Sequence, residues 1–109
     1  PRGRDPDGAG MGYPIRVLEM LATLGGTRYL ARGSVDTASN VRKLKGYIQT
    51  ALEAQMAGIG FTMVEILSTC PTNWGMDPVQ AVDWLAEKMI PYYPLGEIKN
   101  ELPHKGAHA

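Results

Sequence analysis

Residues Phe61 to Gly75 read FTMVEILSTCPTNWG and run straight into DPVQAVDWLAEKM, starting at Asp77. Phe61, Met63, Val64, Ile66 and Leu67 make the stretch to Ser68 apolar almost throughout. That pattern predicts a strand of a parallel sheet covered by helices on both faces. Glu65 interrupts the run. It either pairs with a nearby base or is a buried carboxylate serving a site. The strand ends in a loop carrying the only cysteine, Cys70, and Pro71 holds that cysteine's backbone extended. Asp77 then offers an N-cap, with Pro78 at the first helical position, where a missing N–H costs nothing. Ligands of open α/β sheets gather where strands end and helices begin, so this loop is the first place to look for chemistry.

Upstream, Tyr13-Pro14 opens a helix whose apolar face is Ile15, Leu18, Leu21 and Leu24, stopped by Gly25-Gly26. TRYLARGSV then has the length and content of a short strand, with Arg32 at its end read first as solvated and otherwise as a contact for a phosphate or carboxylate. Ser39 or Asn40 can cap a second helix over 40–57. Val41, Leu44, Ile48, Ala51 and Leu52 form its buried stripe, and Arg42, Lys43 and Lys45 lie on its solvated face. Downstream, Ala81, Val82, Leu85 and Met89 line the third helix, and Trp84 reads as packing. Pro91 and Pro94 break that helix. The predicted order is helix, strand, helix, strand, helix: an α/β chain with parallel strands and crossover helices. Residues 1–12, with four glycines and two prolines, read as a flexible arm, and 97–109 as a polar tail. Two parallel strands alone make a poor sheet, so the chain looks like a portion of a larger doubly wound domain, or one that recruits strands from a partner.

A length of 109 residues suits one domain with a modest core, and 44% hydrophobic with 20% charged residues is ordinary globular composition. Eleven basic and eleven acidic residues cancel, which gives no electrostatic footprint for nucleic acid or an anionic membrane. No apolar run approaches the ~20 residues that span a bilayer. A single cysteine cannot form an internal disulfide, which favours a reducing, cytoplasmic setting.

Phosphate-cradling GxGxxG and GxxxxGK[ST] signatures are missing. His104 and His108 fall in the polar tail without an acidic partner, which makes neither a metal ligand nor a base for Cys70. One cysteine without C-x-x-C spacing cannot make a zinc or iron–sulfur site alone. Cys70 is therefore either a half-buried thiol with no special role or one corner of a site whose other corners lie elsewhere. The adjacent helix N-terminus favours the thiolate, the form that coordinates metals.

The run GFTMVEILSTCPTNWGMDPVQAVDWLAEKMIPYYPLG closely resembles the C-terminal part of the thiamine-diphosphate-binding β subunit of 2-oxoacid:ferredoxin oxidoreductases. YPIRVLEMLATLGGTRYLARGSV and IQTALEAQMAGIGF resemble it as well, so the likeness covers about residues 13–96. The CPTNWG loop is its most specific part and is closest to the 2-oxoglutarate and 2-oxoisovalerate types. The resemblance implies a partial thiamine-diphosphate-binding domain over 13–96. It also implies oxidative decarboxylation of a 2-oxoacid, with electrons passing to ferredoxin and the acyl group to coenzyme A, in complex with an α subunit. Cys70 matches the fourth ligand of the family's four-iron, four-sulfur cluster.

The Gly-Asp-Gly segment that binds diphosphate and magnesium in that family does not occur in this sequence, nor do the other three cluster cysteines. The expectation is thus a C-terminal portion of the subunit. Thiamine diphosphate, Mg2+ and the cluster would belong to the intact protein, and none would be bound by this piece. No catalytic residue is assigned within it, and turnover by it alone is not expected. Two rivals stand beside this reading. One is a non-catalytic α/β interaction module, associating with copies of itself or others through sheet edges. The other is a stand-alone thiol enzyme or redox sensor using Cys70, which requires a depressed thiol pKa.

Overall fold

The computed structural model describes residues 14–69 and 75–103. In chain order the elements are α1 (Val17–Leu21), β1 (Thr27–Ser34), α2 (Ala38–Met56), β2 (Phe61–Leu67), α3 (Pro78–Trp84), a π-helical turn (Leu85–Met89), α4 (Ile90–Tyr92) and β3 (Gly96–Asn100). The sheet order is β2-β1-β3, with β1 parallel to β2 and antiparallel to β3. The expected parallel pair and its crossover helix are present. The third, antiparallel strand was not foreseen. Its GEIKN alternates too weakly, and mixes too many polar residues, to stand out from the tail in which it lies.

The fully covered strand is β1, not β2. Seven of the eight β1 residues are buried, because it lies between two neighbours and under packing on both faces. On one face Tyr29 and Ala31 meet Ala51 of α2, joined by Tyr47, Val64 and Leu102. Gly33 continues that face. A Cβ there would come within 2.8 Å of Leu44 Cδ1, so glycine is what lets α2 approach. The other face holds Arg32 and the salt bridges it makes with Glu19, just after the start of α1, and with Glu65. By contrast β2 is an edge strand with Phe61 and Ile66 both substantially exposed.

Thr37, not Ser39 or Asn40, caps α2: its side chain accepts a hydrogen bond from the Asn40 amide at 3.0 Å. The helix consequently starts two residues earlier than its sequence pattern suggested. Gly58, at φ +69°, supplies the left-handed residue just beyond the helix end. Of the α1 face only Leu18 is buried, while Ile15 and Leu24 are exposed and the helix ends at Leu21.

Asp77 caps α3 as expected, in a reciprocal capping box with Gln80. Pro91 does not end that helix. The chain widens into the π turn immediately upstream and stays helical to Tyr92, an accommodation suited to a residue that cannot donate and would clash with the preceding turn.

Candidate functional site

Two polar assemblies flank the end of β1. The first is built on Arg32, which is 0% exposed. Its Nε donates to Glu65 Oε1 at 3.0 Å, the residue directly beside it in the parallel register. One terminal nitrogen donates to both carboxylate oxygens of Glu19, at 2.6 and 3.2 Å, and the other to the Pro94 carbonyl at 3.1 Å. The guanidinium also lies 5.3 Å from the centre of the Tyr93 ring. Arg32 is therefore not the solvated strand-end residue its position suggested. The planar fork makes four charge-assisted bonds that tie α1, β1, β2 and the segment after α4 into one unit. Glu65 takes the structural role, paired with a base.

A second stitch runs beside it. Arg16 Nε donates to the Tyr92 carbonyl at 2.8 Å with its guanidinium 4.3 Å over the Tyr92 ring, and the Tyr92 hydroxyl donates to the Pro14 carbonyl at 3.1 Å. Signals for these contacts were thin in the sequence, because each joins residues more than 70 apart.

The second assembly lies in the β1–α2 loop, at the carboxyl end of the parallel pair. The Ser34 hydroxyl and the Asn40 amide both donate to Asp36 Oδ1, the latter at 2.8 Å. Partial burial pushes the Asp36 carboxyl up, but the bonds from Ser34 and Asn40 and nearby backbone N–H groups outweigh it and hold its pKa below the ordinary carboxylate range. The Val35 amide donates to the Leu67 carbonyl at 3.3 Å, so the ends of β1 and β2 stay in register at this loop. A small cavity of about 140 Å³ opens between Ser34, Asn40, Lys43, Tyr47 and Gly96. Sequence reading noticed Asn40 only as a helix cap and missed Asp36. Its cue was the Ser-x-Asp-x-x-x-Asn spacing across a strand-to-helix junction.

Deeper in the α2 face, the Tyr29 hydroxyl is buried with no hydrogen-bond partner among the described residues, and burial together with the Glu97 carboxylate raises its pKa well above that of free tyrosine.

Cys70 lies outside the described residues, as do His104 and His108. Strand β2 leads towards Cys70 and α3 leads away from it, with Ser68 and Thr69 as the last described residues before it. Among the described residues no group of three or more histidine, cysteine or carboxylate side chains could hold a metal ion. With one thiolate in the whole sequence, this chain does not by itself fit a four-iron cluster. No helix among the described residues is long and apolar enough to cross a membrane.

These features define a small α/β domain with a three-stranded mixed sheet and a crossover helix, whose polar loop lies at the carboxyl end of the parallel pair. The chain is 37% identical, over 100 residues, to the ketoisovalerate oxidoreductase subunit VorA of Methanothermobacter marburgensis. It is 36% identical over the same length to that of Methanothermobacter thermautotrophicus. Each match takes in 92% of this chain but 20% of the relative, so the chain spans about a fifth of the length of the curated relatives it matches. No family model matches the chain, and no solved structure matches it. The chain is thus similar to a part of a ketoisovalerate oxidoreductase subunit.

Proposed function

We propose that residues 13–96 are the C-terminal part of the thiamine-diphosphate-binding β subunit of a 2-oxoacid:ferredoxin oxidoreductase, of the type acting on 2-oxoisovalerate or 2-oxoglutarate. The 37% identity, over nearly the whole chain, to a ketoisovalerate oxidoreductase subunit supports the oxidoreductase part of this reading, and the β assignment rests on the CPTNWG run. The CPTNWG loop supports it, since it follows the end of a parallel strand and precedes a capped helix. In the intact subunit Cys70 gives one thiolate to a four-iron, four-sulfur cluster. Thiamine diphosphate with Mg2+ is held by segments outside this sequence. The α subunit, ferredoxin, coenzyme A and the 2-oxoacid are the partners. The 109-residue chain alone does not turn over.

The test is Cys70→Ser in the longer subunit, with iron content and visible absorbance of anaerobically purified protein as the readout. Loss of iron with thiamine binding retained is the expected result. Unchanged iron would remove Cys70 from the ligand set.

A second reading, a non-catalytic interaction module derived from such a domain, is favoured by one observation: the outer edge of β2 pairs with no other strand among the described residues. A start codon immediately upstream of the Pro1 codon, with cooperative folding of the 109 residues in isolation, would support that module instead.

A further inference from the structure

We propose that α1 and the segment from Tyr92 to Glu101 form a clasp that opens and closes as one unit, separately from the β1–α2–β2 body. The two pieces are more than 70 residues apart in the chain, yet they lie alongside each other in the same order. At one end the Tyr92 hydroxyl donates to the Pro14 carbonyl at 3.1 Å, and Arg16 Nε donates to the Tyr92 carbonyl at 2.8 Å. Next, the Arg32 guanidinium grips Glu19 of α1 with one terminal nitrogen and the Pro94 carbonyl with the other. At the far end Lys99 Nζ donates to the Leu24 carbonyl at 2.9 Å and to Thr27 Oγ1 at 3.0 Å. Positions 14 to 16, 19 and 24 therefore meet 92, 94 and 99 in turn.

Neither piece is built to stand alone. Helix α1 has five residues, far fewer than the ~12–15 that an isolated helix needs in water. It buries only Leu18, and its N-cap residue Arg16 makes no side-chain capping bond among the described residues. Strand β3 is equally short, and a shift in register between Leu30 and Ala31 interrupts its pairing with β1. What each lacks the other supplies. Lys99 brings a cation to the Leu24 carbonyl just past the end of α1, where positive charge is favoured. The turn after α1 in exchange gives that ammonium, only 12% exposed, its acceptors. Departure of either piece strands donors or acceptors in the other, which is the costly state for a polar group out of water.

The body is held in a different way. Tyr29, Ala31 and Ala51 form an apolar core between β1 and α2, joined by Tyr47, Val64 and Leu102. Leu102 packs with that core, so the clasp ends at Glu101. Helix α2 has nineteen residues and its own cap at Thr37. None of these contacts needs α1, so the body keeps its core when the polar stitches part. Opening takes Glu19, the Pro94 carbonyl and the Tyr93 ring away from Arg32 and leaves it Glu65. The clasp thus governs whether the guanidinium near the carboxyl end of β1 is covered.

The inference goes beyond the oxidoreductase reading and does not rest on it. Amide hydrogen exchange, followed by peptide in the protein encoded by the full open reading frame that contains this chain, tests it. Lys99→Met should speed exchange in 18–24 about tenfold or more. Leu18→Ala should do the same in 96–101, and Arg16→Gln, at an exposed position, tests that second direction without a core change. Peptides from 40–56 and 61–67 should keep their wild-type rates in all three variants. Acceleration confined to the piece that carries the substitution would overturn the clasp. Acceleration that reaches α2 and β2 equally would overturn it too, because the domain would then open only as a whole.

Discussion

Replacing Arg32 with methionine should destabilise this domain more than any surface charge change. The substitution keeps much of the stem's volume and removes the guanidinium. Four hydrogen bonds go with it: one to Glu65, two to Glu19 and one to the Pro94 carbonyl. Breaking a buried ion pair from one side typically costs about 3–5 kcal/mol, because the remaining charge is stranded. Here the stranded carboxylates are 36% (Glu19) and 25% (Glu65) exposed, so water partly recovers them. The expected loss is therefore lower, roughly 2–3 kcal/mol. Urea unfolding of the two proteins, compared at equal m-value, measures it. The carboxylates should behave unequally when removed singly and together. Either Glu19→Gln or Glu65→Gln leaves one arginine facing one carboxylate and should cost about 1 kcal/mol. Removing both leaves a fully buried cation with a carbonyl and an aromatic face, so the double variant should exceed the sum by about 1 kcal/mol or more. A loss under about 0.5 kcal/mol for Arg32→Met, the range of an ordinary surface substitution, would refute the clamp.

Gly33→Ala places a methyl group within 2.8 Å of Leu44, and such overpacking should cost about 1–3 kcal/mol, relieved in part by Leu44→Val in the same chain. Asp77→Ala removes the α3 cap and should cost about 1 kcal/mol in thermal or urea unfolding. The Asp36 pKa is lower in the folded chain than in the unfolded one, so its stabilisation is complete above the unfolded value of about 3.9 and disappears as pH falls through the folded value. The stability gap between the wild-type chain and Asp36→Asn should accordingly be constant near neutrality and shrink only below about pH 4. A gap unchanged at low pH would mean that Asp36 is not held ionised by Ser34 and Asn40.

What was legible in the sequence was local. The β1–α2–β2 order, the Asp77-Pro78 start of α3 and the end of α2 close to residue 57 all follow from residues within a turn or two of each other. The failures concern which surfaces meet. An apolar run reports that a strand wants cover, and β2 has that composition while remaining an edge. Arg32 ends a strand, and strand ends are usually wet, but α1 and the segment after α4 fold over it and supply a carboxylate, a carbonyl and a ring. Strand β3 is recognisable only through its partner, because Gly96 and Lys99 earn their strand geometry by pairing with Arg32 and Leu30. The candidate site divides in the same way. Cys70 stood out because it is the only cysteine, whereas Asp36, a common residue in a common kind of loop, did not.

The Arg32 clamp also joins the elements that precede and follow Cys70 in the sequence. Glu65 is five residues before Cys70, and its carboxylate is bound to an arginine on the adjacent strand that simultaneously grips Pro94, beyond the far end of the α3–α4 segment. Strand β2 and the segment after α4 are thus fastened to one guanidinium. A thiolate that must meet three others supplied from elsewhere gains from such an arrangement, since ligand geometry is only as good as the elements that carry it. If Cys70 is a cluster ligand, Arg32→Met should therefore raise the rate of iron loss from the intact subunit while leaving the thiolate itself in place. Cys70→Ser should instead prevent the cluster from assembling at all. Equal rates of iron loss from the wild-type and Arg32→Met subunits would show that the clamp serves folding alone.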